Sequence, residues 1–200
     1  MYDDEFELTF DLSDEDKASR APEPEQEPVQ EAAPEPAAET EPPVEPVPEP
    51  AVPAANGRCV LISGGDRGIG AAAARAFWQA GYRVAVLYHT HAEEAAALEK
   101  ALPGLLAVQC DVASRASCEV AFHTVEQAVG HVDVLVSNAG IAQQKLFTDI
   151  TPEEWQHMLD VNLSGAFHLC QLALPGMIRR KAGRILTVSS MWGQTGGSCE

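Results

Sequence analysis

Between residues 58 and 190, short apolar runs alternate with windows in which apolar residues recur every three or four positions. That alternation predicts a parallel sheet covered by crossover helices. Cys59-Val60-Leu61-Ile62-Ser63 is a continuous apolar run that ends in glycines, the pattern of a strand buried on both faces. An Ala-rich helical window follows over 69–80, with Gly81 placed to stop it. The same reading gives a second strand at 83–88, a second helix at 93–102 ahead of Pro103-Gly104, and a third strand at 105–109. A third helix over 114–129 and a fourth strand over 132–137 complete the next unit. Thr151-Pro152-Glu153-Glu154 combines a cap, a first-turn proline and a Glu three positions on, so it opens a helix. That helix is expected to reach about Arg180, bent or broken at Pro175. A fifth strand is expected over 184–188.

Upstream of residue 57 this pattern is lost. Of the 30 acidic residues, 17 lie between Asp3 and Glu49 against Lys17 and Arg20 alone, so the segment carries about −15 of the net −17. Eleven of the 14 prolines fall there too. Such a composition offers almost nothing for a core, so residues 1–57 are expected to form a disordered acidic tail ahead of a folded domain over 58–200. Within the tail, Phe6, Leu8, Phe10 and Leu12 alternate with Glu7, Thr9 and Asp11, a spacing able to add a strand to a partner's sheet edge. Four apolar residues alone do not offset the ordering entropy, so disorder is the expectation and no partner is specified. Residues 22–56 read as a polyproline-rich spacer reaching on the order of 3 Å per residue.

The charge therefore belongs to a solvated tail, and no basic stripe exists to hold nucleic acid. Five cysteines, Cys59, Cys110, Cys118, Cys170 and Cys199, are an odd and widely spaced set without a metal-ligand pair, so reduced thiols and no metal are expected. Met1-Tyr2-Asp3-Asp4-Glu5 lacks the basic start of a secretory signal, and no apolar stretch approaches the roughly 18 residues of a spanning helix. A soluble, cytoplasmic protein without a membrane partner is the expectation.

Ser63-Gly64-Gly65-Asp66-Arg67-Gly68-Ile69-Gly70 sits between the first strand and the first helix. Glycines there permit a tight turn and a close backbone approach, and they let the free N–H groups of a helix start point at a pyrophosphate. The spacing is G-x-x-x-G-x-G, and four further segments follow in order. They are Asp111-Val112 after the third strand, Ser137-Asn138-Ala139-Gly140 after the fourth, Asp160-Val161-Asn162-Leu163, and 183–190 ending Thr187-Val188-Ser189-Ser190. Together they resemble the short-chain dehydrogenases/reductases, most closely the bacterial 3-oxoacyl-acyl-carrier-protein reductase type.

The resemblance implies a Rossmann-type doubly wound α/β fold, here a partial domain of about five strands. It implies a dinucleotide cofactor contacted by Gly64, Asp66, Arg67, Gly68, Ile69, Gly70, Asp111, Val112, Asn138, Ala139 and Gly140. It makes Ser190 the residue that hydrogen-bonds the substrate oxygen, and Asn162 the holder of a relay water. The substrate would be a small-molecule carbonyl or alcohol, and a full-length form would be a homo-oligomer.

An acidic residue at the end of the second strand would bond a ribose 2′-hydroxyl and repel a 2′-phosphate. This chain has Tyr88-His89-Thr90-His91 there and no carboxylate until Glu93, while Arg67 in the glycine loop and His89 suit a phosphate. NADP(H) is the expected cofactor, with NAD(H) as the alternative. The family's proton donor is a Tyr in Y-x-x-x-K, expected about a dozen residues after Ser190. Tyr2, Tyr82 and Tyr88 are the only tyrosines and none has Lys four positions on. Two expectations follow: a working reductase whose record is incomplete, or an inactive nucleotide-binding module carrying an interaction tail.

Overall fold

The computed structural model describes residues 54–196. The expectations for the acidic tail, including its alternating stretch at 6–12, lie outside the described residues. In chain order the elements are β1 (Cys59–Ser63), α1 (Gly68–Gln79), β2 (Arg83–Tyr88), α2 (Ala92–Ala101), β3 (Leu106–Gln109), α3 (Arg115–Val129) and β4 (Val134–Ser137). Then come α4 (Pro152–Leu159), a π turn (Asp160–Ser164), α5 (Gly165–Arg180), β5 (Arg184–Thr187) and the short α6 (Trp192–Thr195).

The strands form one parallel sheet in the order β3-β2-β1-β4-β5. Successive side chains of a strand point to opposite faces, and here each face has its own helices. Cys59, Leu61, Ala85, Leu87 and Leu135 pack with Cys118, Phe122 and Val125 of α3 and Leu169 and Ala173 of α5. Val60, Ile62, Val84, Val86, Val134 and Val136 pack on Ala74 and Trp78 of α1 and Leu98 of α2. The chain is therefore wound on both sides of the sheet, the Rossmann-like arrangement expected. Every residue of β1 is buried, which is why its apolar run shows no alternation. Each fully buried Leu, Ile or Val contributes about 1.5–3 kcal/mol.

Local signals place the starts of α3 and α4. Ser114 accepts the Ser117 N–H at 3.3 Å to cap α3. At α4, Thr151 Oγ1 accepts from Glu154 N at 3.3 Å while Glu154 Oε2 accepts from Thr151 N at 2.8 Å, a reciprocal box that serves two orphan donors. Strands β3, β4 and β5 are one or two residues shorter than expected.

The single helix expected up to Arg180 is corrected. It is interrupted at Asp160–Ser164 by the π turn, whereas α5 runs through Pro175 to Arg180 without a break. Gln171, whose carbonyl a donor at 175 would serve, is exposed together with Pro175, so water can satisfy that acceptor. Leu169, Ala173 and Met177 remain buried on either side of the proline, and their packing holds the helix together. The wide turn instead falls where Gly165 lies against Val112, 2.9 Å from its Cγ2 for an added Cβ.

Candidate functional site

The glycine loop leaves β1 at its C-terminal end and enters α1 at Gly68. Gly68 has φ +53° and an added Cβ there would meet nothing within 4 Å, so the loop presents bare backbone to open space. Gly70 plays the opposite part: an added Cβ would run into the Gly64 carbonyl and stand 2.7 Å from Asn138 Nδ2. Arg67, the residue before α1, is extended and no side chain caps the helix. The first N–H groups of α1 thus lack the usual partner, and their partial positive charge faces outward.

Two polar staples shape the opposite wall. Asn138 Nδ2 donates to the Ser63 and Gly64 carbonyls at 3.0 and 2.9 Å. Buried Ser63 Oγ accepts the Asn138 and Ala139 N–H groups at 3.0 and 3.1 Å. The ends of β1 and β4 are thereby locked together. Asn162, in the π turn, accepts from Ile141 N at 2.8 Å and donates to Ile141 O at 3.0 Å, which fixes the loop after β4. Asp111 Oδ1 accepts from Ala113 N at 3.0 Å, and Asp111 N donates to Ser117 Oγ at 3.0 Å.

These walls enclose a cavity of about 500 Å³ at the C-terminal ends of the strands. Gly64, Asp66, Arg67, Gly68, Ile69, His89, Asp111, Val112, Asn138, Ala139 and Gly140 all line it. Gly70 packs behind it against Gly64 and Asn138, and neither Asn162 nor Ser190 is among its lining residues. Ser190 is exposed after β5. Its Oγ accepts from Trp192 N at 3.2 Å. Val188 N donates to Ser137 O at 2.9 Å, so Ser190 lies two residues beyond the end of the β4–β5 pairing, at the same end of the sheet as the cavity.

Several lining residues escaped the sequence reading. Tyr88, Thr90, His91 and Cys110 come from the strand ends, and His157 and Val161 arrive from α4 and the π turn. No local pattern marks His157, which only tertiary packing brings in, while Val161 enters beside Asn162 in a segment read for its Asn alone. Asp66 adds a carboxylate next to the end of β2, where the sequence showed none: it is buried, with Oδ2 3.8 Å from His91 Nδ1. Arg67 is exposed and, among the described residues, meets no carboxylate. An uncapped helix start, an open glycine face and an unpaired guanidinium fit a dinucleotide diphosphate. Among the described residues no helix is long and apolar enough to cross a membrane, and no group of three or more His, Cys, Asp or Glu side chains could hold a metal ion.

The family model for short chain dehydrogenase matches residues 58–200. An acetoacetyl-CoA reductase of Shinella zoogloeoides is 40% identical over 139 residues, which cover 70% of this chain and 57% of the relative. The 3-oxoacyl-acyl-carrier-protein reductase MabA of Mycobacterium avium is 40% identical over 144 residues, covering 70% of this chain and 53% of that protein. The crystal structure of gox2181 is similar with a TM-score of 0.66 at 31% identity, over 71% of this chain and 56% of that one. The chain therefore spans little more than half the length of the curated relatives it matches.

Proposed function

The chain belongs to the short-chain dehydrogenase family, and on that premise we propose that its cavity takes NADP(H) for the reduction of a carbonyl of 3-oxoacyl type, or for the reverse oxidation. One observation carries the reading: the uncapped start of α1, bare at Gly68 and flanked by Arg67, opens onto the cavity. Gly64, Gly68, Ile69 and Gly70 would seat the diphosphate, and Asp111 and Val112 the adenine. Asn138, Ala139 and Gly140 would form the wall beneath the nicotinamide ribose. Arg67 and His89 would hold the 2′-phosphate. When bound, the nicotinamide supplies or accepts the hydride.

Ser190 is assigned to the substrate oxygen. Its Oγ already accepts from Trp192 N, so its own proton is available to the oxygen on which charge develops. Asn162 is assigned to the proton relay as a positioning residue that acts through the loop it fixes at Ile141. The buried carboxylate of Asp66 favours the alternative cofactor NAD(H), since it could accept from a 2′-hydroxyl; Arg67 and His91 oppose it. The unpaired thiols of Cys59, Cys110, Cys118 and Cys170 accord with a reducing cytoplasm. Exposed Phe167, Leu174 and Ile178 on α5 supply apolar surface for a homo-oligomer.

Calorimetric titration of the full chain with NADPH and with NADH tests the cofactor. NADPH is expected to bind more tightly. Arg67→Ala should weaken NADPH by about 10- to 100-fold, the range of a lost charge-assisted hydrogen bond, and leave NADH nearly unchanged. Absence of binding by both nucleotides would sink the proposal. A second reading, a nucleotide-binding module without turnover, rests on the same cavity and needs no proton donor. Oxidation of NADPH in the presence of acetoacetyl-CoA separates the two, since turnover excludes the module and binding without turnover supports it.

A further inference from the structure

Cys110 follows β3 and Cys118 lies in the first turns of α3. Both are buried, at 3% and 0% exposure, and their sulfurs are 4.0 Å apart. Cys110 borders the cavity whereas Cys118 lies behind it. The pair also supports the Asp111-Val112 segment. The Cys118 thiol donates to the Val112 and Asp111 carbonyls at 3.5 and 3.9 Å. Ser117 Oγ accepts from Asp111 N at 3.0 Å and donates to Cys110 Sγ at 3.8 Å.

We propose that Cys110 and Cys118 form an oxidisable pair, in which a hydroperoxide entering the cavity converts them to a disulfide that displaces Asp111-Val112 and lowers nucleotide affinity, and which bound nucleotide shields. The second half rests on the nucleotide reading above. In the first step the Cys110 thiolate attacks one hydroperoxide oxygen: an S–O bond forms, the O–O bond breaks, and the departing oxygen takes up a proton and leaves as water or alcohol. The Cys110 sulfur is oxidised by two electrons and becomes a sulfenic acid. Cys118 sulfur then attacks it. An S–S bond forms, the S–O bond breaks, and the hydroxide leaves with the Cys118 proton as water.

The surroundings divide the roles in that order. The hydrogen bond with Cys118 holds the Cys110 thiol below the usual range, with Ser117 adding to it against the effect of burial. The hydrogen bond with Cys110, and then burial, push Cys118 up. Cys110 is accordingly the nucleophile that meets solvent first, and Cys118 the protonated resolving thiol. Closing the gap from 4.0 Å to a disulfide length of about 2.05 Å requires the two sulfurs to approach by roughly half that distance. It also removes the S–H that serves the Asp111 and Val112 carbonyls, so the segment proposed to hold the adenine loses its support.

The test treats the reduced full chain with hydrogen peroxide, with and without NADPH, then blocks free thiols and digests with trypsin. Cleavage at Arg115 separates the two cysteines, so a disulfide appears as peptides 101–115 and 116–145 linked with the loss of two hydrogens. The linked pair is expected in nucleotide-free protein and should be suppressed by saturating NADPH. Oxidised protein should bind NADPH about tenfold more weakly, the scale of one lost hydrogen bond, with full recovery on reduction. Cys118→Ser should yield no link and a dimedone-reactive Cys110. Unreacted Cys110 and Cys118 in nucleotide-free protein would overturn the proposal, as would a link that leaves affinity unchanged. If the reduced protein takes up no NADPH, the nucleotide reading is what fails, and the linked peptides still decide the thiol chemistry.

Discussion

At Gly70 an added methyl would enter the Gly64 carbonyl and crowd Asn138 Nδ2 at 2.7 Å, whereas at Gly68 it would meet nothing within 4 Å. The two glycines of one loop should therefore fail in different ways. Gly70→Ala is expected to lower stability by about 1–3 kcal/mol through overpacking of the β1–β4 junction. Gly68→Ala should cost only about 1 kcal/mol, from the left-handed backbone at φ +53°, yet it puts a side chain where the phosphates are proposed to lie. Urea unfolding and NADPH titration on both variants check this, the expected pattern being a larger stability loss at Gly70 and a larger affinity loss, relative to stability, at Gly68. The sequence alone shows three glycines in a motif and does not distinguish these duties. The difference lies in what Asn138, 68 residues downstream of Gly70, does with its amide.

Elements were legible where the signal was local. The unbroken run of β1 and the Thr151–Glu154 box needed no tertiary information. The π turn was illegible because apolar spacing continues through it, and the groups that meet it, Ile141 at Asn162 and Val112 at Gly165, come from elsewhere in the chain. Helix ends also carry strain and charge that can be tested. Lys181 closes α5 in the left-handed conformation at φ 54°, which suits glycine better. Lys181→Gly is expected to raise stability by about 0.5–1 kcal/mol, read as a later urea midpoint at unchanged slope. At α4, the Lys145 ammonium, with help from the Thr151 N–H, holds the Glu154 carboxyl below its ordinary value. Since the folded value is the lower one, the stabilisation is complete above the ordinary Glu range and is lost as pH falls through the depressed value. Glu154→Gln should flatten this part of the acid profile of unfolding, and an identical acid limb in wild type and variant would refute the assignment.

The order β3-β2-β1-β4-β5 reverses its direction of growth between β1 and β4, and in open α/β sheets the crevice at such a reversal is where ligands bind. That much follows from the alternation of strands and helices together with the glycine loop. The sequence could not show that one cavity would collect residues from the ends of β1, β2, β3 and β4 together with His157 of α4. Because so many elements contribute, a nucleotide held there has to be released before any of them can unfold, and binding should stabilise the folded unit as a whole. At a free NADPH concentration of 100 times Kd the gain is about 2.7 kcal/mol. For a folded unit of this size that corresponds to a rise in Tm on the order of 10 °C. Thermal unfolding followed by circular dichroism is expected to show one transition that moves upward with NADPH concentration. A nucleotide-shifted transition accompanied by an unshifted one would show that the far edge of the sheet, where Leu186 of β5 is exposed, melts independently of the site; a melt indifferent to NADPH would reject the site itself.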